Sequence, residues 1–232
     1  MNPSIRRLSR SFVPTALLAA MLVIFPSGCS IMDIAYEEGN GEAAEEMREL
    51  DGFQSVSVSS GIDAEVRVGE ETEVRVEADS NLLEYIETVV EDGTLRIRPA
   101  GKGLMLRSKS DMVVHVSMPA LEAAVASGGA DLSVKGLDGG DLTISVSGGS
   151  DAKFEGRAGA VSANISGGSD LNAADLEAAS FDVTASGGSD ATLGKSGSLS
   201  ANASGGSDIC YHEDTGTTDL NDSGGSDVEP CS

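Results

Sequence analysis

Apolar and polar residues alternate with a period of two through most of the second half of the chain. Leu142, Ile144 and Val146 alternate with Thr143 and Ser145, and Val161, Ala163 and Ile165 with Ser162 and Asn164. Phe181, Val183 and Ala185 alternate with Asp182 and Thr184, and Leu199, Ala201 and Ala203 with Ser200 and Asn202. That pattern marks a strand with one buried face. Each run leads into the same string, Ser-Gly-Gly-(Ser/Ala)-Asp, which recurs six times and ends at Asp131, Asp151, Asp170, Asp190, Asp208 and Asp227. The intervals are 20, 19, 20, 18 and 19 residues. Alternation resumes after each Asp. Leu132, Ala152, Leu171, Ala191, Ile209 and Val228 follow it directly, and Val134, Phe154, Ala173, Leu193, Tyr211 and Pro230 stand two positions further on. In the last copy the pattern decays around Thr218, Leu220 and Asp222, as expected of a terminal repeat that meets water.

Each unit therefore reads as strand, Gly-Gly corner, strand and a second turn, such as Gly156 to Ala160. The Gly pair supplies positive φ at a tight corner. A lone unit has no partner for its apolar face, and coiling the units buries one continuous core. The predicted fold is all-β, a single-stranded parallel β-helix with coils of about 19 residues. Six coils at the strand spacing extend about 29 Å. A propeller blade needs roughly twice as many residues as one unit supplies. Residues 121–232 are assigned to the repeats and a C-terminal cap. Residues 51–120 form an N-terminal β region that caps the near end, in which Val56 to Val66 reads as a degenerate copy of the unit.

The first 50 residues read differently. Arg6, Arg7 and Arg10 precede ten apolar residues from Ala16 to Phe25, then Pro26-Ser27-Gly28-Cys29. The apolar run is too short to span a bilayer but suits a secretory signal. Small residues before Cys29 are similar to a bacterial lipoprotein cleavage site, although Pro26 stands where Leu is usual. Residues 1–28 are thus read as a lipoprotein-type signal peptide, with Cys29 as the lipidated residue and membrane anchor. Ser30 after it resembles the outer-membrane sorting type, which places the chain in the envelope of a Gram-negative bacterium. Residues 29–50 are acidic and poor in large apolar groups, and read as a flexible tether. Cys210 and Cys231 remain as an even pair in an oxidising compartment and are expected to form a disulfide. That bond would contribute about 3 kcal/mol on the chain-entropy model.

Charge excludes one class of function. From Cys29 onward 12 basic residues face 38 acidic ones, a net charge of −26. A nucleic-acid partner is not expected, because affinity there comes from neutralising phosphates. Aromatics make up only 3% of the chain, which disfavours a sugar-stacking lectin site. The six Asp residues of the repeat are candidate Ca²⁺ ligands, since adjacent carboxylates in register repel by about 0.9 kcal/mol even in water. The competing reading has each Asp accepting backbone N–H groups at its corner. Ser145, Asn164, Thr184, Asn202 and Asn221 are expected to stack as a polar ladder. The two histidines, His115 and His212, belong to no hydrolase or zinc motif. No enzyme activity and no cofactor are expected. A polysaccharide-active β-helix would need grouped acids beside a cation in a groove.

The order of motifs carries a resemblance. Phe53-x-x-Val-x-Val-Ser-Ser-Gly-Ile-Asp-Ala, then Leu82-Leu83-x-x-Ile86, Asp92-Gly-Thr-Leu-Arg-Ile97, Val116-x-Met-Pro-Ala-Leu-Glu122 and the Ser-Gly-Gly-Ser-Asp ladder follow one another. Over residues 51 to 229 this series resembles the bacterial "putative auto-transporter adhesin, head GIN domain" family. The resemblance implies an exported β-helical domain, often on a lipoprotein, and attaches no catalytic residues. The expected role is a non-enzymatic envelope lipoprotein that meets a glycan or protein at the surface. The alternatives are a Ca²⁺-binding β-helix and a polysaccharide-active enzyme.

Overall fold

The computed structural model describes residues 35–231. The signal peptide and Cys29 lie outside the described residues. Strands β1 (Ala35–Glu38) and β2 (Ala43–Arg48) come first, followed by β3 (Ser55–Ser59), β4 (Asp63–Val68) and β5 (Glu73–Asp79). A 3₁₀ turn at Leu83–Tyr85 leads to β6 (Ile86–Glu91), β7 (Thr94–Pro99), β8 (Leu104–Arg107) and β9 (Val113–Met118). The repeat region supplies β10 (Ala123–Ser127), β11 (Leu132–Asp138), β12 (Leu142–Ser147), β13 (Asp151–Ser166), β14 (Asp170–Ala173) and β15 (Leu176–Ser186). It ends with β16 (Asp190–Leu193), β17 (Ser196–Ser204), β18 (Asp208–Tyr211), β19 (Thr217–Ser223) and β20 (Asp227–Pro230).

These strands stack in parallel as a β-solenoid, as the repeat predicts. One wall runs β7, β3, β10, β12, the end of β13, β15, β17 and β19. A second runs β9, β4, β11, the start of β13, β14, β16, β18 and β20. A short third wall forms where Gly156–Ala158 pairs with Leu176–Ala178. The expected turn at Gly156 to Ala160 is therefore strand, and β13 runs unbroken through all three walls. Gly156 has φ +126, and a Cβ there would lie 2.4 Å from the Leu137 carbonyl oxygen, so the close approach requires glycine.

The register follows the sequence alternation. Leu142, Ile144 and Val146 stack on Val161, Ala163 and Ile165, and all are buried. Small and large groups alternate along the column. Buried Phe154 stands beside Val134 on one side, and Ala173 follows the Lys153–Asn172 pair on the other.

The N-terminal half differs from expectation in two ways. First, the coil built from β3 and β4 lies inside the column rather than at its end. The chain leaves it and builds the end coil from β7 and β9. It then passes back to add β10 and β11 on the other side. The end itself is closed by antiparallel pairing, β6 on β7 and β5 on β9. Second, much of residues 29–50 is not a free tether. β2 pairs antiparallel with β5 from Ala43↔Asp79 to Arg48↔Val74, and β1 pairs parallel with β8. The free edge of β5 offers backbone partners that need no apolar side chain. Glu45 reaches Arg75 at 2.6 Å, and the Arg48 guanidinium donates to the Leu83 carbonyl at 2.9 Å.

A buried carboxylate fastens this segment. Asp79 is fully buried and accepts the Lys109 N–H at 2.8 Å and the Ser110 hydroxyl at 2.6 Å. Gly39 packs so tightly on it that a Cβ would fall 1.6 Å from an Asp79 oxygen. The Lys109 N–H, followed by the Ser110 hydroxyl, holds the Asp79 carboxyl below its ordinary 3.8. Its stabilising contribution is therefore present above pH 3.8 and lost as pH falls through the lowered value. Asp79→Ala is expected to lower the melting temperature at neutral pH and to flatten the acid limb of a melting-temperature profile. An unchanged acid limb would show that this group does not hold the strands down.

Candidate functional site

The corner string builds the most regular feature of the molecule. Gly128 and Gly129 have φ +67 and +77, and the pair repeats at each corner up to Gly224 and Gly225. This geometry turns successive N–H groups inward, where they need acceptors. In every copy but the first, where Ala130 stands, the Ser before the Asp supplies one. Ser150 Oγ accepts the N–H groups of Gly129 and Ala130, both at 3.1 Å. Ser169 Oγ accepts those of Gly149 and Ser150 at 3.1 and 3.2 Å. Ser226 Oγ accepts those of Gly206 and Ser207 at 3.0 Å each. Ser189 and Ser207 also donate to the Ser186 and Ser204 carbonyls. Ser150, Ser169, Ser189 and Ser207 are fully buried. A column of serine hydroxyls thus stitches each corner to the one before it.

The Asp column runs beside it on the outer surface and stitches in the opposite direction. Asp63 Oδ1 accepts the Asp131 N–H at 2.9 Å, Asp190 that of Asp208 at 3.3 Å, and Asp208 that of Asp227 at 3.1 Å. Asp151, Asp170, Asp190, Asp208 and Asp227 stand in register, with Asp131 and Asp63 continuing the row. Part of the row lines a groove of about 500 Å³ with Glu65, Ser133, Lys153 and Asn172.

Partial burial, aided by the charges of Asp131 and Asp111, raises the Asp63 carboxyl above 3.8 against the Asp131 N–H bond. Burial, then repulsion from Asp131 and Asp170, raises Asp151 in the same way. A raised carboxylate opposes folding when ionised, and protonation relieves it as pH falls through the raised value. Asp63→Asn keeps an oxygen for the Asp131 N–H and removes the charge. It is expected to raise stability at neutral pH and low salt in urea unfolding, while Asp63→Ala lowers it. Equal effects from both substitutions would refute a balance between N–H capping and repulsion.

The carboxylates do not converge. Among the described residues no group of three or more His, Cys, Asp or Glu side chains is placed to hold a metal ion. Calcium takes roughly six to eight oxygen ligands. A row with one carboxylate per coil, in which Asp63, Asp190 and Asp208 each accept a backbone N–H, does not fit that demand.

With this geometry in hand, the relatives can be placed. The family model described as "putative auto-transporter adhesin, head GIN domain" matches residues 52–214. The chain belongs to this family. Among curated proteins none matches it. A protein from Bacteroides fragilis described as a "putative adhesin" has a similar structure, with TM-score 0.68 and 17% identity, covering 84% of this chain and 100% of its own. A "putative lipid binding protein" from Parabacteroides distasonis gives TM-score 0.54 and 17% identity over 85% of this chain and all of its own. A "putative adhesin" from Parabacteroides merdae gives 0.52 and 16%, with 85% and 100% coverage. At these identities the likeness is one of fold.

The remaining sequence candidates are placed as follows, Asn221 and Cys231 lying beyond the residues that the head GIN model matches. Cys210 and Cys231 are bonded, with Cα atoms 5.0 Å apart, and join β18 to the residue after β20. Ser145, Asn164, Thr184, Asn202 and Asn221 share one row. His115 lies between Glu65 and Glu77, with each ring nitrogen 3.3 Å from a carboxylate oxygen. His212 is exposed beyond β18, many coils away. Lys153 brings a cation to the acidic groove, but its ammonium turns to Glu155 at 2.8 Å and Asp175 at 3.7 Å. Sequence reasoning missed the buried serine column. Its signal was present, since period two carried backwards from Phe154 and Ala152 places Ser150 on the inner face.

Proposed function

We propose that this chain is a non-enzymatic envelope module, exported by its leader, anchored through a lipid on Cys29 and displaying an acidic solenoid for surface interaction. Membership of a family described as adhesin-like carries the reading. The basic start, the apolar run and Cys29 support export and anchoring. Ser30, rather than Asp, directly after Cys29 favours the outer membrane of a Gram-negative cell. The regular hydrogen bonds of the Ser column, with those accepted by Asp63, Asp190 and Asp208, support a structural role for the repeat.

Mass spectrometry of the mature N-terminus, with protease accessibility on intact cells, tests this. An acylated N-terminal Cys29 and a chain cleaved from outside are expected. An unacylated N-terminus starting elsewhere would remove the anchor, and a chain protected on intact cells would remove surface display. Because the groove holds acids near Lys153, release of reducing ends from envelope and capsular polysaccharides is the control for catalysis. No release is expected, and release abolished by Asp151→Asn would establish the enzyme instead.

A further inference from the structure

The two-stranded sheet of β1 and β8 stands apart from the stacked walls. Its outward positions are unusual. Tyr36 and Met105 are register partners, and they are 50% and 51% exposed. Only Met47 is a comparably exposed large apolar residue among the described residues. Arg107 stacks over the Tyr36 ring, 4.6 Å from its centroid. Beside this patch Pro99, Leu104, Met105 and Leu106 line a further groove of about 520 Å³. An aromatic ring, a long apolar side chain and flanking cations are the side-chain set that sits at a lipid–water boundary.

Charge favours the β8 side of this sheet, the β1 side carrying Glu37 and Glu38, of which Glu38 is paired with Lys109. Residues 96–110 contain Arg96, Arg98, Lys102, Arg107 and Lys109 and no acid. Residues 111–232 contain nineteen acids and four Lys or Arg. Arg96 and Arg98 pair with Glu87 and Glu91, and Lys109 with Glu38. Lys102 and Arg107 are exposed and take no part in these pairs. An anionic surface would repel the acidic coils and accept this edge.

Chain length agrees. Ala35 opens β1 only six residues after Cys29, a stretch that spans at most about 20 Å when extended. We propose that the outer face of the β1–β8 sheet docks on the bilayer surface, with Tyr36 and Met105 at the headgroup boundary and Lys102 and Arg107 facing lipid phosphates. The proposal rests on the envelope reading above and names the face that meets the lipid.

The chain has no Trp, so single Trp residues report position without background. The full chain, expressed with its own leader and extracted from the envelope, is reconstituted in phosphatidylethanolamine–phosphatidylglycerol vesicles with brominated acyl chains. Tyr36→Trp and Met105→Trp are expected to shift to the blue and to lose roughly half of their emission. His212→Trp, exposed in the last coils, is expected to keep its emission. Adding Lys102→Glu and Arg107→Glu should weaken the quenching of Tyr36→Trp, and folding of each variant is checked by its melting curve. The mass of the mature N-terminus separately reports whether Cys29 is acylated. Quenching at positions 36 and 105 without acylation would retain the docking face and remove the anchor. Quenching no greater than at position 212, whatever that mass, overturns the proposal.

Discussion

Ser169→Ala is expected to lower the unfolding free energy by about 3 kcal/mol, because one buried and one partly buried N–H group lose their acceptor at about 1–3 kcal/mol each. For a domain of this size that corresponds to a fall of about 6–12 °C in melting temperature. The groups are the Gly149 and Ser150 N–H, whose partner is the buried Ser169 hydroxyl. The molecule contains its own reverse experiment. Ala130 occupies the serine place in the first copy, above the Ser60-Gly61-Ile62 corner. Ala130→Ser is expected to stabilise by about 1 kcal/mol, the net value of a typical buried hydrogen bond. Guanidinium unfolding of the two variants decides the matter. Less than about 1 kcal/mol lost in Ser169→Ala would mean that the hydroxyl column is incidental.

Phe154→Ala is expected to cost about 3–5 kcal/mol, the range for removing a buried aromatic ring. Phe154 is fully buried, and its smaller neighbours Val134 and Ala173 cannot refill the space. The second consequence is a change in cooperativity. In a column, each coil is stabilised mainly by the coils next to it. A cavity at this level weakens the coupling between the coils on either side. Unfolding followed by far-ultraviolet circular dichroism and by the exposure of Tyr211 should then give two separate midpoints. One sharp shared transition would show that the column remains a single cooperative unit despite the cavity.

The coils were legible because period two and six corners that differ only at Ala130 reinforce one another. Leu142, Ile144 and Val146 could face only inward, and the Asp spacing fixed their neighbours. The position of β3 and β4 was not legible. Val56 and Val58 announce a strand, but nothing local reveals that Leu95 and Ile97 lie on one side and Ala124 and Ala126 on the other. Acidic β2 was hidden for another reason. Its order comes from backbone pairing with β5 and from ion pairs such as Glu45–Arg75, neither of which leaves an apolar period. In the candidate site, the Asp row was visible as a row. Its part in hydrogen bonding became clear only when the corners were stacked, because each acceptor and its donor sit in different copies.

The burial of the β3–β4 coil between later segments bears on how the chain assembles after export. A polypeptide threaded N-terminus first delivers residues 55–68 before either flanking surface exists. Assembly therefore cannot proceed as simple winding from one end. It grows outward from an early seed in two directions, and both edges of that seed stay bare until Met118 and then Asp138 have crossed the membrane. A holding factor on the far side of the membrane would have most to do during that interval, and slowing translocation should increase aggregation before it affects the finished fold.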